Sequence, residues 1–363
     1  MAREEIKINI SVSTSSDDIV DWNRSRIVEV LMRETYIDKD TAEKISEEVE
    51  GEIVASGIRV TTAALIREMV DAKLLEKGLE KERKRHVRLG MPVYDVEQVI
   101  QFHNKENANV PHSPEATNLT IAETIKKQYA LNVVFSEKVG HAHLCGDLHI
   151  HNLGLVDRPH SSLQSLEYIK CFGLNLPGGL SVSKPARNAD VLISHLVRFS
   201  AVLQSHFAGE IGWDGVSILM APYLSGLSDR DVTQLAQKLL FDFSQQAVAR
   251  GGQPVFADIH LYWDIPRHLA TIPAIGPGGE TVGKGYAEYQ KEARRFLTEI
   301  LRVYLAGDGA GRPFFFPRPV LHVGESFWSD PEAEEVRMLA ARVAAEKGNP
   351  HFFFERDKKA WLA

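Results

Sequence analysis

Beyond about residue 90, short apolar runs alternate with amphipathic stretches long enough for helices, and this alternation limits the possible folds more than any other feature. The runs cover 169–176, 255–263, 314–323 and 351–354, and helical spacing is found over 116–139, 186–207, 229–249, 286–305 and 331–347. Short strands separated by long helices predict an α/β domain. The Gly/Pro-rich piece 273–285 reads as a surface loop, and no internal repeat interrupts the pattern. The last run, His351-Phe352-Phe353-Phe354, is an aggregation hazard as a free tail. It is expected either as a central strand that needs a neighbouring strand from elsewhere, or as a strand packed under the helix at 331–347.

The first ninety residues follow a different rhythm. Ile6, Ile8 and Ile10 alternate with polar residues as in a half-buried strand, and a Ser/Thr/Asp-rich turn runs from Ser11 to Asp18. Ile27, Val30 and Leu31 share a helical face. Asp38 or Asp40 can cap a second helix through Ala42, Ile45, Val49 and Ile53. Thr61 or Thr62 opens a third helix, which stops at Gly78. The basic cluster from Lys81 to Arg88 reads as a solvated linker, and Gly90-Met91-Pro92 breaks the chain. Two domains are therefore expected, 1–90 and 91–363.

Composition narrows the function classes. The 363 residues are 44% hydrophobic and carry a net charge of −7 with both signs interspersed, which gives no footprint for nucleic acid or an anionic membrane. No apolar run approaches the roughly 18 residues that span a bilayer, and the start is charged, so a cytoplasmic protein is expected. Cys145 and Cys171 are expected as free thiols, with Cys145 as a small buried hydrophobe.

Chemistry concentrates between Glu106 and Leu155. His149 and His151, two apart on a strand, would project to one face; with Asp147 they could bind a metal, carry protons near neutral pH, or be ordinary structural histidines. Asn107 and Asn109 alternate in the same way and can either read a polar ligand or form turns. Ser113-Pro114-Glu115 marks a helix N-terminus, which can receive an anion or simply be capped by Ser113.

Taken together, Glu106 to Asn109, Ala142-His143, and Gly146-Asp147-Leu148-His149-Ile150-His151-Asn152-Leu153 resemble the catalytic domain of anaerobic (class III) ribonucleoside-triphosphate reductases. Asn152 stands where that family usually has Asp. Cys171 follows at the family's spacing, and Gly251 to Phe256 and Arg312 to Val323 continue the likeness in order. The stretch 1–90 resembles an ATP-cone, the nucleotide-sensing module of reductases, through Trp22 to Ile27, Arg33-Glu34-Thr35, Val49-Glu50 and Ile66 to Val70. Its phosphate-binding basic turn is replaced by Ser11 to Asp18, so a degenerate cone is expected, with Lys7, Arg24 and Arg26 as the remaining bases that could meet ATP or deoxynucleotide effectors.

The resemblance implies a fold of a helical ATP-cone-like domain followed by roughly half of the ten-stranded α/β barrel of ribonucleotide reductases and glycyl-radical enzymes. It implies reduction of ribonucleoside triphosphates by a radical mechanism with formate as reductant. Cys171, His149 and His151 would then be catalytic, with Asn107, Asn109 and Ser113 on the substrate. The family's glycyl-radical motif and four-cysteine zinc site have no match here, and neither cysteine lies on the thiyl-bearing loop. The expected partners are therefore a complementary C-terminal reductase polypeptide carrying the glycyl radical and a radical-SAM activase, in a homo- or hetero-oligomer, with no metal in this chain. The alternatives are an inactive or regulatory nucleotide-binding protein on the same half-fold and, further away, a His-x-His metal-dependent hydrolase drawing on His260 and His322.

Overall fold

The computed structural model describes residues 10–14, 18–102, 112–176, 181–246 and 252–355. Lys7, Asn107 and Asn109 lie outside the described residues. The chain divides into two units, Met1–Pro92 with Thr124–His151, and Val93–Glu123 with Asn152–Ala363.

The first unit begins with strands β1 (Ser11–Ser13) and β2 (Ile19–Asp21), then helices α1 (Ser25–Glu34) and α2 (Lys39–Ala55). Strand β3 (Val60–Thr62) leads directly into α3 (Ala63–Glu76), and α4 (Glu80–His86) follows. β1 is central, antiparallel to β2 and parallel to β3. The caps are those the sequence offers: the Thr41 N–H donates to Asp38 at 2.8 Å, and the Leu65 N–H to Thr62 at 3.1 Å. Leu31, Ile45, Val49, Ile53 and Leu74 are fully buried between the helices. The basic cluster from Lys81 is not a solvated linker. It forms α4, where His86 is buried against Asp71 at 2.7 Å and the Arg85 guanidinium lies 4.4 Å from the Tyr36 ring centre.

Next come α5 (Val93–Gln101) and α6 (Pro114–Tyr129), a π-helical turn at Ala130–Val134, and α7 (Glu137–Cys145). The single helix expected over 116–139 is broken because Ser136 leaves helical geometry and caps α7. Cys145, expected in a core, is exposed at the end of α7, 3.5 Å from His141.

The second unit holds a five-stranded sheet built from β4 (Ser162–Ser165), β5 (Ile211–Asp214), β6 (Ala257–Tyr262) and two later strands. Helices α8 (Glu167–Phe172), α9 (Ala189–Gln204), α10 (Val216–Met220), α11 (Asp229–Ser244) and α12 (Arg267–Ala270) occur on the way. The hairpin β7 (Pro273–Ile275) and β8 (Thr281–Gly285) and then α13 (Gln290–Ala306) precede β9 (Arg318–Val323). α14 (Glu325–Ser329), α15 (Glu334–Lys347) and β10 (His351–Phe354) complete the unit. The sheet order is β10-β9-β6-β5-β4 and every pairing is parallel.

Three expectations change here. The run 169–176 does not form a strand: its first half is the end of α8, stopped by Gly173 at φ 74°, where a side chain would strike the Ser183 carbonyl. The stretch 273–285 is a hairpin, not a plain loop. β4 and β5, too short and too mixed to stand out, are strands because the sheet around them supplies partners.

One face of the sheet is packed. Trp213, Ile259, Leu261 and Leu321 are fully buried among Leu196, Leu239, Phe243, Phe296 and Ile300 from α9, α11 and α13. Each such side chain stabilises the fold by roughly 1.5–3 kcal/mol. The Trp213 indole donates to Ser200 Oγ at 2.8 Å, so this large ring has no orphaned donor. β10 forms the sheet edge, and its three phenylalanines are each about half exposed. Among the described residues no helix is long and apolar enough to cross a membrane.

Candidate active site

Alternate residues of a strand point to opposite faces, so the strands that bury Trp213, Ile259, Leu261 and Leu321 must present another set on the far side. That set is polar. Strand register places Gly212, Asp258 and Arg318 in one row across the sheet, and Tyr262, His322 and Phe353 in another. Arg318 grips Asp258 with two bonds, Nε to Oδ1 at 2.8 Å and Nη2 to Oδ2 at 2.9 Å, and reaches Glu210 at 3.2 Å. The hydrogen bonds it donates to Asp258 raise the guanidinium pKa and keep it protonated. Partial burial opposes ionisation of Glu210, but its backbone hydrogen bond and the Arg318 charge hold its carboxyl below the usual range.

A second group lies along the same face. His260 Nδ1 is 2.8 Å from His322 Nε2, and His322 Nδ1 is 3.1 Å from Glu355 Oε1. The Tyr262 ring stacks on His322 with centres 4.0 Å apart, and its hydroxyl donates to Asp214 at 2.6 Å. Burial, with His260 adding to it, pushes the His322 pKa down to about 3, and burial also lowers His260. Glu355 is raised by burial and by the charge of Asp264. Burial thus shifts both rings and the carboxyl towards their neutral forms, as a low dielectric does. Gly212 lets its neighbours pack closely: a Cβ there would stand 2.9 Å from Leu163 Cδ1 and 3.6 Å from His260 Nε2.

Cys171, the cysteine expected to face substrate, is half-buried on α8 rather than on a strand. Its neighbour Lys170 is fully buried, and among the described residues no carboxylate hydrogen-bonds to it. The ammonium donates to the Leu219 carbonyl at 2.6 Å and to the Tyr286 hydroxyl at 2.9 Å. Burial pushes its pKa down to about 7, and burial likewise raises Tyr223 to about 12. The hairpin turn presses on the same helix. At Gly279, with φ 81°, an added Cβ would lie 2.8 Å from the Lys170 carbonyl and 3.0 Å from that of Cys171.

His149 and His151 are exposed in a turn, not on a strand, yet their ring centres stand only 5.8 Å apart, and His149 is 5.7 Å from His143. The turn is held by the Ile150 N–H, which donates to His143 Nδ1 at 3.2 Å. Asn152 adopts φ 56°, the left-handed region that Asn and Asp tolerate best. This accounts for either residue at that position. Ser113 is a helix cap, its Oγ accepting from the Ala116 N–H at 3.2 Å. Among the described residues no three His, Cys, Asp or Glu side chains form a metal-ligand set.

The first unit contains a cavity of about 720 Å³, lined in part by Val12, Trp22, Asn23, Arg26, Arg67 and Arg88. Arg26 is thus among the lining residues. Arg24 is turned to α2, 3.3 Å from Glu47, and is not part of the lining. Arg67 was not evident from sequence; it is shared between the cavity and an ion pair with Glu34 at 2.8 Å. The sheet-face group also escaped notice apart from its histidines. The signal was the polar repeat Asp258, His260, Tyr262 at every second residue.

A family model described as anaerobic ribonucleoside-triphosphate reductase matches residues 106–361. Among solved structures, the anaerobic ribonucleotide reductase from Thermotoga maritima with MES in the active site shares 14% identity at a TM-score of 0.54, covering 80% of this chain and 50% of that one. The same enzyme with glycerol in the active site gives 14% and 0.53, covering 72% and 45%. A further anaerobic ribonucleotide reductase gives 13% and 0.52, covering 94% and 51%. The chain thus spans about half the length of the solved structures it matches. No curated protein matches the sequence.

Proposed function

The chain belongs to the anaerobic ribonucleoside-triphosphate reductase family, and from that premise we propose that it supplies part of a radical ribonucleotide-reducing active site. The observation that carries the reading is the polar face of the sheet. Parallel sheets are ordinarily apolar on both faces, yet here the side opposite the core with α9, α11 and α13 bears paired charges and a hydrogen-bonded histidine row. Such a face suits the inner wall of a substrate cavity, as in roughly half of a ten-stranded α/β barrel. In this reading Cys171 is the active-site thiol on the substrate side, and His149, His151 and Ser113 belong to the substrate region with Asn107 and Asn109. The remaining strands, the thiyl cysteine and the glycyl radical come from the complementary C-terminal part of the reductase. A radical-SAM activase installs the radical, and formate supplies the reducing equivalents. The first ninety residues form a cone-like regulatory domain that senses nucleotides weakly.

The test is anaerobic turnover of a ribonucleoside triphosphate with formate and activase. Deoxynucleotide should form when the complementary polypeptide is present, vanish with Cys171→Ala, and be absent from the chain alone. Product from the chain alone, or full activity of Cys171→Ala, would overturn the assignment. One observation favours a second reading, a nucleotide-binding regulator without turnover: the arginine-lined cavity of the first unit. Nucleotide binding without product in the complete mixture would select it.

A further inference from the structure

We propose that Glu355, His322 and His260 form a proton relay along the sheet face, with His260 Nε2 as the open end serving a hydroxyl group of a bound ligand. The relay does not depend on the reductase reading; only the assignment of that hydroxyl to a ribose rests on it.

The three groups form an unbroken row, with contacts of 3.1 Å from Glu355 to His322 and 2.8 Å from His322 to His260. A hydrogen bond at one ring nitrogen fixes the proton on the other, so the row has two self-consistent states. With Glu355 ionised, its carboxylate accepts from His322 Nδ1–H. His322 Nε2 then accepts from His260 Nδ1–H, and His260 Nε2 keeps a bare lone pair. When that lone pair takes a hydroxyl proton, the Nδ1 proton of His260 passes to His322 Nε2, and the Nδ1 proton of His322 passes to Glu355. The ligand O–H bond breaks and a carboxyl O–H bond forms. Each ring exchanges one N–H bond for the other and ends neutral, and the negative charge moves from Glu355 to the ligand oxygen. Run backwards, the same row delivers a proton.

Its surroundings suit this use. Tyr262 on one side, at 4.0 Å, and Phe353, at 4.9 Å, hold the His322 ring between them, so its nitrogens stay in line. His260 stays partly exposed whereas His322 is buried, so the His260 end of the row is the one a ligand can reach. Burial disfavours a charged imidazolium at either ring, which leaves exchange of neutral tautomers as the accessible path. The charged groups around the row are balanced: Asp258 is neutralised by Arg318, Asp214 takes the Tyr262 hydroxyl, and Asp264 raises the proton affinity of Glu355.

Ring-nitrogen NMR on the full chain labelled with 15N-histidine tests the relay without any turnover assay. At alkaline pH both rings should carry the proton on Nδ1. As Glu355 takes a proton on acidification, both should switch together to Nε2–H, with neither becoming imidazolium over that step. Glu355→Gln can hold one tautomer but cannot take up a proton, so its two rings should keep a single tautomer through the same range. Independent protonation of the two rings to cations, or a switch in Glu355→Gln matching the parent chain, would overturn the proposal. Failure of the reductase reading would leave these spectra unchanged and show itself only as missing deoxynucleotide.

Discussion

His260 Nδ1 and His322 Nε2 stand 2.8 Å apart, ring to ring, across the neighbouring parallel strands β6 and β9. Two imidazoles that close cannot both carry positive charge in a buried site, because like charges at this separation repel strongly where water is scarce.

The first expectation is an acid-sensitive fold. Below about pH 6.5 an unfolded histidine binds a proton that His322 refuses until about pH 3. The depressed pKa therefore contributes stability that is fully present above pH 6.5 and is lost as pH falls towards 3. Thermal melts between pH 7 and 4 should show a steep decline in Tm. In His322→Phe, which keeps an aromatic ring against Tyr262, the decline should be shallower whatever the starting Tm. An unchanged slope would remove His322 as its source.

Arg318 and Asp258 should behave as one unit. Arg318→Ala leaves the Asp258 carboxylate mostly buried without its fork, at a cost of about 2–4 kcal/mol. Arg318→Lys should recover only part of this, because an ammonium cannot make both bonds. Denaturant midpoints with an unchanged m-value would measure both, and equal stability of the Lys variant and the parent would contradict the two-bond geometry.

Gly279→Ala probes how firmly Cys171 is held. The position combines φ 81° with backbone carbonyls at 2.8 and 3.0 Å, so a methyl group must displace the hairpin or α8. A loss of about 1–3 kcal/mol is expected, together with faster alkylation of the Cys171 thiol relative to that of Cys145. Equal alkylation ratios in parent and variant would show that the hairpin does not hold the helix.

Calorimetry on the full chain should give ATP binding weaker than micromolar, because the turn from Ser11 to Asp18 has no base for the phosphates. Each missing charge-assisted contact removes roughly 1.5–3 kcal/mol. Arg26→Ala should abolish the residual binding, whereas Arg24→Ala, which alters a side chain paired with Glu47, should leave it intact. Micromolar affinity in the parent would refute a degenerate cone.

How much of this was legible depended on how local the physics was. Asp38 and Thr62 act within one turn of chain, and their caps stand in the structure as the sequence suggests. β10 also appears at 351–354, because three consecutive phenylalanines have few other uses. By contrast, β4 and β5 become strands only through their neighbours, and 169–176 reads as an apolar strand although Lys170 finds its partners 49 and 116 residues away. His260 and His322 attract notice individually, but their union depends on strand register, which no local pattern encodes. Asp258 and Arg318, 60 residues apart, were invisible for the same reason.

The order β10-β9-β6-β5-β4 has a consequence for how the second unit is made. Every strand lies beside the strand of this sheet that preceded it in the chain, so the sheet can grow outward in one direction as the polypeptide leaves the ribosome. No early strand has to wait for a late one to be inserted between it and its neighbour. Parallel pairing is slow because each crossover must close a long loop. Here those closures can proceed one at a time during synthesis, with β4 and β5 docked before β9 and β10 emerge. Refolding of the whole chain from denaturant forfeits that schedule, and should be slower and more prone to association than folding during translation.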